Sequence, residues 1–205
     1  MSFRDIARSN DARTIISSII PIYACGNTIP LVLPDNQSNS LPEYKLWAPL
    51  LLANFNSFAL DFISRQKVQS THVNWYIVEQ FPVIPPEKFE GKIGKIKISD
   101  FIRQEVLKLT YTANDMEPFA RDMGYEGDPF IWDKEERRHS KARLDALFFI
   151  LYEINEDDAS YILDTFPIVK RQDESEFGTY RTKEMILAYI RALKAGDTKT
   201  KIYVN

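Results

Sequence analysis

The chain has 205 residues, 44% of them apolar, with 26 Lys and Arg against 29 Asp and Glu. That length fits one domain, or one domain with a helical extension, and 13 Phe, 10 Tyr and 3 Trp can fill a sizeable core. The composition excludes a disordered chain. The near-neutral charge excludes a free-standing basic nucleic-acid binder, so any DNA contact must be local or shared.

Charge is unevenly spread. Met1 to Trp75 holds six basic and five acidic residues, and the remainder 20 basic and 24 acidic. The first part is therefore the better candidate for a phosphate-facing surface. Cys25 is the only cysteine, which rules out an internal disulfide and fits a reducing cytoplasm. The charged N-terminus lacks the apolar core of a signal peptide, and the apolar runs are too short and interrupted to span a bilayer.

In chain order, Arg13 to Ala24 is rich in β-branched residues and predicts a strand, with Pro21 marking an edge or a bulge. Cys25-Gly26-Asn27 predicts a turn, Ile29 to Leu33 a second short strand, and Pro34 to Ser40 a polar loop. Ser40-Leu41-Pro42-Glu43 has capping-box spacing. The helix it opens carries Trp47, Leu51, Phe55, Phe58 and Phe62, with Pro49 expected to kink or split it. Val73 to Phe81 predicts another strand, stopped by Pro82, Pro85 and Pro86.

Glu87 to Ile98 alternates Lys and Gly with apolar residues, which fits a connector or a short hairpin. The main boundary is expected here, dividing 1–86 from a mostly helical 87–205. Ser99 is expected to cap a helix bearing Ile102, Val106 and Leu109; Asn114 with Glu117 opens another, closed by Gly124. Asp133 to Glu153 is long and amphipathic, with Leu144, Leu147, Phe148 and Leu151 on one face. Asn155 caps Glu156 to Asp164, and Thr182 to Lys194 forms the last helix, with Gly196 just beyond. The fold class expected is α+β: a small mixed β-sheet with packed helices, then a helical subdomain.

No catalytic constellation is visible. There is no glycine-rich phosphate loop, and two histidines with one cysteine cannot build a structural zinc site. The run Asp133-Lys134-Glu135-Glu136-Arg137-Arg138 has nuclease-like composition, but on a helix its carboxylates fan around the axis, and i,i+4 charge pairs explain it. The stronger feature is a basic polar turn. Arg65 and Lys67 end a helix, and Ser70, Thr71, His72 and Asn74 supply groups that contact phosphates and base edges. Arg4, Arg8 and Arg13 can add to that surface. The competing reading is a solvated helix end whose cations suit the helix dipole.

Several separated segments resemble one family, the fused type IIG restriction–modification N6-adenine DNA methyltransferases. Arg4-Asp5-Ile6-Ala7-Arg8, Asn10 and Arg13-Thr14 running into Pro21 resemble the strand leading out of their target recognition domain. Leu51-Leu52-Ala53-Asn54-Phe55-Asn56-Ser57 resembles their "LNS" helix, with Phe55 for the usual Leu. Lys67 through Tyr76 resembles the next turn and strand, with Gln69-Ser70 in place of a glycine pair, and Phe81-Pro82-Val83-Ile84-Pro85-Pro86 resembles the exit from it. Arg143 to Ala146, Tyr161 to Pro167 and Phe177 to Lys183 resemble the helical tail.

The family's Asn-Pro-Pro-Tyr type catalytic motif and its cofactor-binding glycines do not occur in this sequence. The resemblance thus implies a non-catalytic C-terminal fragment that helps bind and recognise duplex DNA. Its other partner would be an upstream methyltransferase domain, which would hold S-adenosylmethionine; no cofactor is expected in this chain. Arg65, Lys67, Thr71, His72 and Asn74 are the expected DNA-facing residues. The alternative is a helical docking module that packs on the catalytic domains without touching DNA.

Overall fold

A computed structural model describes residues 1–8, 10–34, 41–68 and 71–204. The proposed Ser40 cap, most of the 34–40 loop and the Gln69-Ser70 positions lie outside the described residues. The fold is helix-rich, with two small two-stranded antiparallel sheets, which is compatible with α+β.

The N-terminal segment is the hub of the first third. Its short strand β1 (Ser2–Phe3) pairs with β2 (Ser17–Ser18), and Leu31 forms an isolated bridge with Ser2. Backbone bonds continue outward: Asp5 N to Thr28 O at 3.0 Å, Ala7 N to Thr71 O at 3.1 Å, and Val73 N to Asp5 O at 2.8 Å. The expected mixed sheet is corrected to this antiparallel ladder with isolated bridges, among the described residues. The β-branched run 13–24 contributes only two strand residues, Ser17 and Ser18, and at Ser17 a side chain also meets its backbone. Asn56 Oδ1 accepts from Ser17 N at 2.9 Å, and Asn56 Nδ2 donates to Ser17 O at 3.0 Å, so one amide side chain occupies the place of a neighbouring strand.

Helix α1 (Leu41–Phe55) contains Pro49, yet the chain breaks seven residues later, at Asn56-Ser57. There Ser57 caps α2 (Phe58–Lys67), accepting from Leu60 N at 3.2 Å, and the two helices meet at 69°. Pro49 cannot donate to the Lys45 carbonyl, and the neighbouring Leu46 carbonyl accepts from the Arg103 guanidinium at 3.1 and 3.2 Å.

The strand expected over Val73–Phe81 is instead one helical turn, α3 (Trp75–Val78). Ile77 and Val78 of this turn are buried, and so are Val73 and Phe81, which flank it. The Asn74 carbonyl accepts from Ile77 N and Val78 N at 2.9 and 3.1 Å, which starts the turn. A 3-10 turn over Pro86–Glu90 leads into a hairpin, β3 (Lys92–Ile93) with β4 (Ile96–Lys97).

The remainder is helical: α4 (Ile98–Thr110), α5 (Glu117–Asp122), α6 (Lys134–Leu151), α7 (Glu156–Asp164), α8 (Pro167–Phe177) and α9 (Arg181–Lys194). Ser99 lies inside α4, whose N-cap is Lys97, so the expected serine cap is corrected by two residues. Asp133 and Asn155 do cap α6 and α7, accepting from Glu136 N and Asp158 N at 2.8 Å each. Helix α8 was not foreseen; Pro167 opens it and Gly178, at φ +79°, ends it.

Helix α6 is the centre of the molecule. From Ala142 to Phe149 every residue is buried, with α2, α4 and α9 packed around this half of the helix, so it is not amphipathic there. One hydrophobic cluster runs from Phe3 through Leu60, Phe89 and Phe148 to Leu193, and the division expected at Pro86 passes through it. Phe58 meets Phe166 edge-on at 4.7 Å, joining α2 to the α7–α8 corner. Among the described residues no single helix is long and apolar enough to cross a membrane; only the bent α1–α2 pair has the length and composition.

Candidate anion-binding cleft

Of the five residues expected to face DNA, four are exposed. Lys67 donates to Gln80 Oε1 at 3.3 Å. Thr71 and Asn74 expose their side chains while their carbonyls accept backbone bonds from Ala7 and from Ile77 and Val78. His72 is half exposed, with Nδ1 2.7 Å from Asp5 Oδ2, so a carboxylate already faces that imidazole.

Arg65 is turned inward, which corrects the expectation that it shares this face. Its side chain is 9% exposed. Its Nη2 donates to the carbonyls of Asp11 and Ala12 at 2.6 and 2.9 Å, and its guanidinium lies 4.0 Å from the Phe166 ring centre. The reason is Asp61, one turn earlier on α2 and 0% exposed. Arg13 Nε bonds Asp61 Oδ2 at 2.6 Å, Thr14 N donates to both carboxylate oxygens at 3.1 Å, and Arg65 Nε stands 3.6 Å away. A buried carboxylate needs this many donors, so both arginines serve the fold. The turn therefore carries less free positive charge than its sequence suggests.

A stronger concentration of positive charge lies elsewhere. Two adjoining clefts of about 400 and 420 Å³ share Arg13, Arg137, Lys141 and Asp145 in their walls. Lys134, Arg137, Arg138 and Lys141 follow each other at helical spacing along one side of α6. Two of them are neutralised: Lys134 pairs with Glu176 at 2.5 Å, and Arg138 with Glu135 at 2.6 Å. Arg137 donates to the Leu109 carbonyl at 2.8 Å and has no carboxylate partner among the described residues. Lys141 makes neither a hydrogen bond nor an ion pair among them. Lys141 is an exposed residue, yet the cleft walls and then Arg137 lower its pKa from the usual lysine value.

Asp145 forms the cleft floor. It accepts from Phe58 N, at the start of α2, at 2.8 Å. Burial pushes its pKa up to about 6, against the pull of Arg13, the Phe58 N–H and Lys141. The cleft thus holds two basic side chains without an ion-pair partner among the described residues, above one reluctant anion, and a phosphate oxygen would supply an acceptor.

At the lip stands Trp132, with Arg137 5.5 Å from its ring centre. Thr182 and Gln172 line the same side. The sequence alone misses this site: i,i+4 charge pairs explain the 133–138 run, and the helical spacing of Lys134, Arg137, Arg138 and Lys141 is the available signal. No group of three or more His, Cys, Asp or Glu suited to a metal ion occurs among the described residues. Comparison with protein-family models, curated proteins and solved structures gives no match.

Proposed function

We propose that this chain is a non-catalytic part of a bacterial restriction–modification N6-adenine DNA methyltransferase and helps it hold duplex DNA. The family and the target-recognition role rest on the resemblance of its segments. The observation that carries DNA binding is the Arg137–Lys141 pair, two cations in a cleft with no carboxylate partner among the described residues. Lys67, Thr71, His72 and Asn74 form a second, weaker contact surface. S-adenosylmethionine belongs, on this reading, to a methyltransferase domain of the same polypeptide, and the setting is the cytoplasm.

Fluorescence anisotropy with a labelled duplex at two salt concentrations tests it. Lys141→Ala and Arg137→Ala should each weaken binding across sequences and lower the salt slope by about one. Lys67→Ala should have the smaller effect. Unchanged binding in all three variants would remove the DNA reading.

A specific observation favours a second reading, a docking module. Ile22, Tyr23, Leu33 and Tyr76 are exposed, and Ile29, Leu31 and Trp75, also exposed, line one shallow depression beside the N-terminal hub. Under that reading the chain packs on catalytic domains and shows no salt-dependent binding to DNA.

A further inference from the structure

Trp132 is 61% exposed, an uncommon position for the largest apolar side chain, and it is not loosely placed. Two residues before it, Phe130 N donates to the Tyr111 carbonyl at 2.9 Å and the Phe130 ring stacks on Tyr125 at 5.0 Å. One residue after it, Asp133 caps α6. The backbone that carries Trp132 is thus held between two fixed points, and the exposed indole lies beside the Arg137 guanidinium. Aromatic surface next to unpaired cations in a recessed cleft is the combination that binds a nucleotide whose base is not stacked on its neighbours.

We propose that this cleft takes a segment of single-stranded DNA, one phosphate on Arg137 and Lys141 and the adjacent base stacked on Trp132. The inference rests on the nucleic-acid reading above and narrows it. A duplex can offer its phosphates to the two cations, but within it the base faces are covered by the stacked neighbouring pairs and cannot lie on an indole. A single strand supplies both groups, one sugar apart. Gln172 and Thr182, on the same wall, offer amide and hydroxyl groups to the base edge. The base face is common to all four nucleotides, so recognition here is tolerant of sequence.

The test uses the full chain and two labelled probes, an oligo(dT) of about 12 nucleotides and a duplex of matching length. Oligo(dT) should bind more tightly than duplex at equal salt. Trp132→Ala should lose about tenfold in affinity for oligo(dT), within the range that one stacked base contributes, and almost nothing for duplex. Trp132→Phe, which keeps a ring, should retain most of the oligo(dT) affinity. Lys141→Ala should weaken both probes. Trp132 is exposed, so its variants should melt like the parent, and circular dichroism checks this. If Trp132→Ala binds oligo(dT) like the parent while Lys141→Ala weakens both probes, the stacking inference is overturned and the phosphate reading stands. If neither Lys141→Ala nor Arg137→Ala alters either probe, both are overturned.

Discussion

Arg13 Nε lies 2.6 Å from Asp61 Oδ2, joining residue 13 of an irregular segment to a fully buried carboxylate on α2. The same guanidinium sits 4.1 Å from the Phe58 ring centre, so it is fixed by charge and by a π face together. This one pair anchors the segment that forms one wall of the cleft.

Asp61→Ala should therefore be among the most damaging single changes. It strips Arg13 and Arg65 of their shared carboxylate and leaves Thr14 N without an acceptor. Removing one partner of a buried pair typically costs about 3–5 kcal/mol. Urea denaturation should show a loss in that range; a loss below about 1 kcal/mol would mean the pair behaves like a surface one.

Gly94 and Gly196 bring the β3–β4 turn against the end of α9. A Cβ on Gly94 would stand 2.4 Å from the Gly196 carbonyl oxygen, and Gly94 has φ +55°. Gly94→Ala combines a backbone clash with a left-handed conformation and should cost about 2 kcal/mol or more. Gly26, with nothing within 4 Å of its added Cβ, provides the control. Thermal melts should separate the two alanine variants clearly, and equal melting temperatures would show that the hairpin does not dock there.

Asp145 should make folding pH-dependent in the less common direction for a carboxylate. Its folded pKa, about 6, is raised above the unfolded value near 3.9. Between those values the folded state binds the extra proton, so this group's contribution to stability falls as pH rises from about 4 to about 6. The groups facing it are Arg13, Lys141 and Asp61. Asp145→Asn, which still offers an oxygen to Phe58 N, should gain on the parent over that window. A stability difference that is flat from pH 4 to 7 counts against the buried, protonatable carboxyl.

His139 has the opposite sign. It is buried, and desolvation lowers its pKa below the usual histidine value, with Glu135 opposing and Arg143 assisting. Its Nδ1 is 2.8 Å from the Tyr189 hydroxyl, which also accepts from Ile202 N at 3.2 Å. Neutral His139 can accept the hydroxyl proton at Nδ1; protonated, it cannot. The contribution is present above the unfolded pKa of about 6.5 and is lost as pH falls below it. Corrected for the intrinsic rate, hydrogen exchange at Ile202 should accelerate as pH falls below about 6.5 in the parent and stay level in His139→Gln. The same acceleration in both would remove His139 as its cause.

The sequence by itself determined most of the helices. Capping residues and apolar spacing are local, so Asp133, Asn155 and the period along α9 could be read directly. It also marked a cationic turn at 65–74, and in it the charged run 133–138 reads only as i,i+4 pairs on a helix. Only the tertiary structure decided what those charges do. Asp61 sits four residues before Arg65, a spacing that suits a surface ion pair as well as a buried one; its burial turned the arginine inward. Strands were poorly legible for the same reason. Their partners are distant in sequence, and at Ser17 the partner is the side chain of Asn56, which no alternation of apolar residues can announce. The cleft needed α6 to lie across the N-terminal segment, a long-range contact set by packing, and only that packing placed Arg137 and Lys141 opposite Arg13.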